Sequence, residues 1–351
     1  MSNTGAVLIV GGYGVVGRQI CELLASRHPT LPIWVGGRSL EQAQSTASQW
    51  PNATGVYIDV EDNDPLASFP VLPEVIIVSV NDHHDRLLLC AARRGIALID
   101  IARWQKRQDD ARQRLANVPL SKPVILASGW MASAAAVVAA AYRRSPQPAK
   151  RIDIDVLFSS ADKAGPDSVT SFVDMHHPFT IHEKGKERRV RGMADPKPVR
   201  FSSGRVVKVR RFSSPDQSTL VMTGHTESAS ARMAFDNTAM TSVFALFARS
   251  GIWGLLSASK RRTLLYKPGP GASHEFIVEI EENTGTQRIL VKDTLGQTHM
   301  TAISAVNQVE RVLGLNHRLP PAIGITYPEQ SADLQADITA MAAMGLSVLH
   351  C

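Results

Sequence analysis

The sequence predicts an α/β protein, a doubly wound parallel sheet followed by a second, α+β domain. Three observations carry that prediction. Residues 6–17 read A-V-L-I-V-G-G-Y-G-V-V-G, an apolar run broken by glycines. Six apolar runs alternate with helix-patterned stretches as far as Tyr142. After Ser145-Pro146-Gln147-Pro148 the pattern changes to alternating, half-polar strands. Strand and helix in strict alternation imply crossover connections, and these build parallel sheets.

The first element is the strand Ala6 to Val10. Its residues are continuously apolar, as in a parallel strand covered on both faces. Gly12-Tyr13-Gly14-Val15-Val16-Gly17 then fits G-x-G-x-x-G, and Gly11, Gly14 and Gly17 fit the looser G-x-x-G-x-x-G. A sharp turn, a pyrophosphate against the backbone and a helix packed close to the strand each require a residue without Cβ. The helix Arg18 to Ser26 follows, with Ile20, Leu23 and Leu24 on one face. Its first N–H groups and its dipole would face the phosphate. A strand, this loop and a helix together predict a Rossmann-type dinucleotide site.

The second strand, Pro32 to Arg38, points to the cofactor. NAD-preferring sites usually end this strand in Asp or Glu, which binds the ribose 2′-hydroxyl. Here Gly37, Arg38 and Ser39 stand at its end. A guanidinium and a hydroxyl suit a 2′-phosphate, and a carboxylate would repel one. The expected cofactor is therefore NADP(H). Ser39 is also the expected N-cap of the helix Leu40 to Trp50.

The remaining strands of the sheet are predicted at 55–60, 74–80, 96–102 and 123–128. Helices are predicted from Leu87 to Gly95, from about Gln105 to Asn117, and from Ala132 to Tyr142. Ligands of such sheets bind at the carboxyl ends of the strands. That edge would carry Gly11 to Gly17, Arg38, Val80 and Asn81 to His84, Asp100 to Arg103, and Ser128 to Met131. Asp59 and Asp62, at the end of the third strand, are expected near the adenine, with solvated strand-end carboxylates as the other reading.

The first domain is expected to span residues 1–147 and the second 148–329, with a C-terminal helix at about 330–351 returning to the first. In the second domain Ile152 to Ser159 alternates as a strand with one polar face. Val199 to Phe212, Leu220 to Phe235 and His274 to Ala302 also read as strands, with a hairpin turn at Glu281 to Gly285. Helices are predicted at Ser168 to Met175, Thr238 to Lys260 and Ala302 to Leu313. The helix from Thr238 is apolar at Val243, Phe244, Phe247, Ile252 and Trp253, which predicts a subunit contact and a homodimer.

Composition excludes several function classes. The 351 residues carry a formal net charge of +6, with no aromatic–basic ladder for nucleic acid. The three cysteines, Cys21, Cys90 and Cys351, are too few and too far apart for a disulfide framework or a zinc site. The N-terminus has no signal-peptide pattern, and no apolar stretch reads as an integral membrane segment, so a cytoplasmic protein is expected. No metal is expected.

The glycine loop, G-G-R-S at residues 36–39, N-D-H-H at 81–84 and S-G-W-M at 128–131 occur in an order that resembles the saccharopine dehydrogenase-like family. The resemblance covers Ala6 to Tyr142, and A-D-K-A-G-P-D-S-V-T-S at 161–171 is a weaker echo in the second domain. It implies a two-domain NADP(H) oxidoreductase acting on a small molecule, with hydride transfer at a carbon–nitrogen bond or at C=C in acyl substrates. Amino-acid-binding members carry Asp-Pro-Gly where this chain has Met131-Ala132-Ser133, so the acid that would hold a substrate ammonium is missing there.

Reduction of an imine requires a placed nicotinamide and a proton donor. His83 and His84, expected beside the nicotinamide, suit proton transfer near neutral pH, or else simply begin a helix. Asp100 either takes part in catalysis or braces its loop with Arg103. Lys163, His176 and His177 open the second domain and could face a cleft. No tyrosine has a lysine four residues on, so a Tyr-x-x-x-Lys mechanism is excluded. The basic run Lys184 to Arg191 and the strand Arg205 to Arg211 read as a solvated strand face or as a surface that attracts a carboxylate or a carrier-bound acyl group.

Overall fold

The computed structural model describes residues 5–162, 177–250 and 269–351, together with 257 and 260. It divides into two compact units. The first is Met1–Ser128 with Thr301–Met344, and the second is Gly129–Met300 with Gly345–Cys351.

The first unit holds a seven-stranded sheet. In chain order the elements are β1 (Val7–Val10), α1 (Val15–Arg27), β2 (Ile33–Gly37), α2 (Leu40–Ala47), β3 (Ala53–Tyr57), β4 (Val75–Val78), α3 (Arg86–Arg93), β5 (Ala97–Asp100), α4 (Gln105–Leu115) and β6 (Pro123–Leu126). A seventh strand, Gly324–Thr326, pairs parallel with β6 and is named β15 below. The spatial order is β15-β6-β5-β4-β1-β2-β3, parallel throughout. This is the predicted doubly wound sheet. Its chain order reverses between β1 and β4, where dinucleotide crevices lie. Every residue of β1 and β4 is buried, which is why both read as unbroken apolar runs. Leu8, Ile76, Val78, Leu87, Leu98 and Leu126 belong to one core cluster.

Residues from Thr301 on contribute more to this unit than one returning helix. Glu310 lies 2.7 Å from Arg27 Nη2 and 2.9 Å from His28 Nε2 at the end of α1. Burial disfavours the Glu310 carboxylate, but these two partners outweigh it and hold the group below its usual range. β15 escaped the sequence reading because three residues bounded by Pro321 and Pro328 are too short for a periodic signal.

The second unit holds a mixed, nine-stranded sheet. Its elements are α5 (Ala134–Ala141), β7 (Arg151–Phe158), β8 (Pro178–Glu183), β9 (Lys186–Arg191), β10 (Lys197–Arg200), β11 (Val206–Arg211), α6 (Asp216–Met222), β12 (Ala229–Phe235), α7 (Thr238–Ser250), β13 (His274–Glu282) and β14 (Gly285–Asp293). The helix α8 (Gln297–Val312) follows, then the first unit's β15 and α9 (Leu334–Ala343), and last β16 (Ser347–His350). The strand order is β10-β11-β12-β7-β13-β14-β16, with β8 on β12 and β9 on β8.

Several expectations are corrected here. The division falls at Ser128, before the alanine-rich helix, because α5 is buried almost all round and packs on β13 and α6 of the second unit. The polar face of β7 does not meet water: Asp153 and Asp155 are buried, and Lys197 Nζ lies 3.0 Å from each. The stretch 199–212 is a hairpin of β10 and β11, turned at Gly204 with φ +79°. The stretch 220–235 is the end of α6 followed by β12, and 274–302 is β13, β14 and the start of α8. The predicted hairpin is present, with Glu282 opposite Gly285. In α7, Phe244 turns inward to meet Phe235 at 5.6 Å, while Val243, Leu246 and Phe247 are exposed. The predicted helix Ser168 to Met175, Lys163, His176, Ile252 and Trp253 lie outside the described residues. Among the described residues no helix is long and apolar enough to cross a membrane.

Candidate cofactor site

The glycine loop of the first unit shows why each glycine is needed. Gly11 has φ +85°, and its N–H and that of Gly12 both donate to the Gly36 carbonyl, at 2.9 and 3.0 Å. A Cβ on Gly12 would stand 2.9 Å from the Ile9 carbonyl oxygen, and one on Gly17 would strike the backbone of Gly11 and Gly12. Gly17 therefore sets how closely α1 approaches β1. Gly14 differs: its φ is −72°, and only the Gly11 carbonyl oxygen, at 3.0 Å, lies near the place of its Cβ. Gly14 and Val15 are exposed, Val16 is half-buried, and α1 has no side-chain N-cap. The first N–H groups of the helix are thus left for an anion, aided by its dipole.

Neighbouring strand ends close on this loop. The Gly11 Cα packs against Ser79 and Val80, which follow β4. Ser79 donates from its hydroxyl to the Val10 carbonyl at 2.7 Å, pinning the two strand ends. Tyr13 lies over Gly37, with its hydroxyl accepting from the Ser39 N–H at 3.2 Å. Ser39 caps α2 by accepting from the Gln42 N–H at 3.3 Å. Its own hydroxyl proton is left for another acceptor. Arg38 is exposed at the end of β2. Asp59 is half-buried after β3 and accepts from the Glu61 N–H at 3.0 Å, which makes it a cap of that turn.

Beyond β4 the structure holds a charged network. Asp82 caps α3, accepting from the N–H groups of Arg86 at 3.0 Å and Leu88 at 3.1 Å. Burial raises its pKa from the ordinary carboxylate value. Asp85, at φ +57°, receives Arg103, Arg107 and Arg114 at 2.5, 2.7 and 2.8 Å. Asp100 is buried, with one oxygen on the Ala102 N–H at 3.1 Å and the other on Arg103 Nε at 2.5 Å. Both its oxygens are engaged within its own loop. His83 and His84 are exposed, and His84 Nε2 lies 3.4 Å from Glu61 Oε2. The network fixes the turn that carries both histidines.

In the second unit, residues 129–133 form an unusual turn. Met131, Ala132 and Ser133 are all left-handed, at φ +49°, +50° and +70°. Such conformations cost about 1–2 kcal/mol per non-glycine residue, so they need support. Ser133 Oγ accepts from the Gly129 N–H at 3.0 Å, and Asp216 accepts from the Trp130 N–H at 2.6 Å and the Ser214 hydroxyl at 2.5 Å. The Trp130 ring packs between Phe158 and Phe212, at 5.4 and 5.2 Å. Asp216 is buried, and burial lifts its pKa to about 6 although the Ser214 hydroxyl and the Trp130 N–H favour the carboxylate. Nearby, His274 is buried against Phe158, and desolvation depresses its pKa to about 3.

Sequence reasoning missed Ser79, Arg107 and Arg114 on Asp85, and Asp216. Arg107 and Arg114 stand seven apart on α4, so they share a helix face, and that spacing was a usable signal. Asp216 had none, because its partner Trp130 is distant in the chain.

No family model matches this chain, and no curated protein sequence does. Solved structures do. Apo saccharopine dehydrogenase (L-Glu forming) from Saccharomyces cerevisiae is similar at TM-score 0.63 and 14% identity, over 99% of this chain and 100% of that one. A myo-inositol dehydrogenase from Corynebacterium glutamicum is similar at TM-score 0.43 and 11% identity, over 99% of each chain. The DAP dehydrogenase of C. glutamicum, in complex with DAP, is similar at TM-score 0.42 and 15% identity, over 96% of this chain and 95% of that one. At 14% identity the first of these likenesses shows a shared fold, across the full length of both chains.

Proposed function

We propose that this chain is an NADPH-dependent oxidoreductase that reduces a C=N bond, in an imine or opine-type intermediate, by hydride transfer. One observation carries the cofactor: an open, glycine-lined helix N-terminus beside a β2 end that offers Arg38 and Ser39 and no carboxylate. The full-length likeness in fold to a saccharopine dehydrogenase supports hydride chemistry at carbon–nitrogen bonds. The pyrophosphate would sit on the N–H groups of Val15, Val16 and Gly17, beside Gly14. Tyr13, Val80 and Asn81 would flank the dinucleotide, with Asp59 toward the adenine. When bound, the cofactor supplies the hydride. His83 or His84, exposed on a turn held by the Asp82–Asp85–Arg103 network, would supply the proton, with Lys163 as the candidate in the second unit.

A second reading has its own observation. The left-handed turn Met131-Ala132-Ser133 bears no acidic side chain for a substrate ammonium. A C=C or C=O reductase of an acyl substrate fits that turn better than an amino-acid reductase does. A protein that binds NADP(H) without turnover is the third reading.

NADPH oxidation at 340 nm with panels of imines, oxo acids with amines, and enoyl or ketoacyl thioesters separates the three. Turnover with imines alone carries the first reading, and turnover with acyl substrates alone replaces it with the second. Tight NADPH binding without turnover on either panel leaves a cofactor-binding protein. The exposed stripe Val243, Leu246 and Phe247 on α7 supports a homodimer, and a monomer in light scattering at micromolar concentration would refute the dimer.

A further inference from the structure

The positive charge of this chain is concentrated in one segment. Residues 184–211 hold eleven Lys and Arg against two acidic residues, and the rest of the chain holds 27 against 30. In the second unit this segment forms β9, β10 and β11 with the turns between them. Part of its charge is neutralised internally. Lys197 lies against Asp153 and Asp155, Arg211 Nε is 2.9 Å from Asp195, and Arg188 Nη1 is 2.7 Å from Glu183. Arg189 and Arg191 are different: both are exposed on β9, and neither forms an ion pair among the described residues.

Among the described residues β9 pairs only with β8, so its other edge is free. A groove of about 330 Å³ lies against it, lined by Arg188, Arg189, Val190 and Arg191 together with Ala194 and Asp195. Successive strand residues point to opposite faces. This groove touches four consecutive residues, so it meets side chains of both faces along the strand, and the β9 backbone groups that β8 does not use point toward the free edge.

We propose that the free edge of β9 is a docking site for an acidic, extended segment of a partner protein. The segment would add as a strand and set its carboxylates against Arg189 and Arg191. This goes beyond the oxidoreductase reading and does not depend on it. Arg189 and Arg191 are two residues apart, so they share one face, and carboxylates at alternate positions of an added strand meet that spacing. Guanidinium forks bind carboxylates through paired, charge-assisted hydrogen bonds. A second copy of β9 is a poor occupant, because Lys184 to Arg191 carries five basic residues against one acid and would repel itself.

The test uses the full chain and a labelled Glu-Thr-Glu-Thr-Glu-Thr peptide, with Glu-Glu-Glu-Thr-Thr-Thr as its isomer of equal charge. Fluorescence anisotropy at low salt should show saturable binding of the alternating peptide, roughly tenfold tighter than the isomer. The double variant Arg189→Gln/Arg191→Gln should lose that preference while keeping the wild-type melting temperature and NADPH affinity. Absence of binding overturns the proposal. Equal affinity for both isomers also overturns it, since that is charge attraction without register. Displacement by equimolar pyrophosphate would make the groove a small-anion site instead.

Discussion

The hydroxyl of Tyr13 accepts a hydrogen bond from the backbone N–H of Ser39 at 3.2 Å, tying the glycine loop to the end of β2. The Tyr13 ring also covers Gly37, where a Cβ would stand 2.7 Å from Cζ. The side chain thereby fixes the segment proposed to hold the 2′-phosphate. Tyr13→Phe keeps the ring and removes one hydrogen bond, a net loss of about 0.5–1.5 kcal/mol. NADPH affinity should fall by up to about tenfold, and NADH affinity by less. Fluorescence titration of both cofactors measures this, and an unchanged ratio of the two would remove Tyr13 from phosphate recognition.

Gly14 and Gly17 should respond differently to alanine. Gly14 has a negative φ and room for a methyl group if the Gly11 carbonyl yields slightly, so Gly14→Ala should fold. Its added Cβ would stand where the pyrophosphate approaches and should weaken NADPH binding on the order of tenfold or more. At Gly17 the methyl meets backbone, so Gly17→Ala should lower the melting temperature even without cofactor. Equal melting temperatures for the two variants would contradict this division of roles.

The centre of the sheet was legible because β1, β2, β4, β5 and β6 are largely buried on both faces. Val7 to Val10 and Val75 to Val78 advertise that burial in every residue. The loop was legible because glycine has few substitutes where backbones meet. The second unit was harder to read. Asp153 and Asp155 look like a solvated face, yet Lys197 meets both inside the fold, and such a pairing across the chain leaves no local periodicity. Asp100 could be read as catalyst or brace, and the partners of its two oxygens, which favour the brace, lie in its own loop where no sequence pattern shows them. The run of three left-handed residues at Met131 to Ser133 has no glycine to announce it, because Asp216 and the aromatic packing of Trp130 support it from elsewhere.

Asp216 should leave a mark on stability against pH. Its folded pKa is about 6, above the ordinary carboxylate value, because burial disfavours the charge. The folded state then binds this proton more tightly than the unfolded chain does. The contribution is fully present below the ordinary value near 3.8 and is lost as pH rises through about 6. Asp216→Asn cannot titrate. The stability difference, wild type minus variant, should therefore rise by about 1.4 kcal/mol per pH unit as pH falls from 6 toward 4. Denaturant unfolding at a series of pH values tests it, and a flat difference would mean that Asp216 titrates normally.

Cofactor choice rests most directly on residues, through Arg38. Its exposed guanidinium at the end of β2 would bind the 2′-phosphate, and the spare Ser39 hydroxyl proton would add a second donor. Hydrogen bonds to charged groups contribute about 1.5–3 kcal/mol each. Arg38→Ala should then cost about tenfold or more in NADPH affinity and leave NADH almost unchanged, because NADH has no phosphate there. Arg38→Asp should go further, repelling the phosphate while offering a carboxylate to the free ribose hydroxyls. Dissociation constants of both cofactors for the wild type and the two variants decide the matter. A wild type that prefers NADH, or an Arg38→Ala variant that weakens both cofactors equally, would reduce Arg38 to a surface charge.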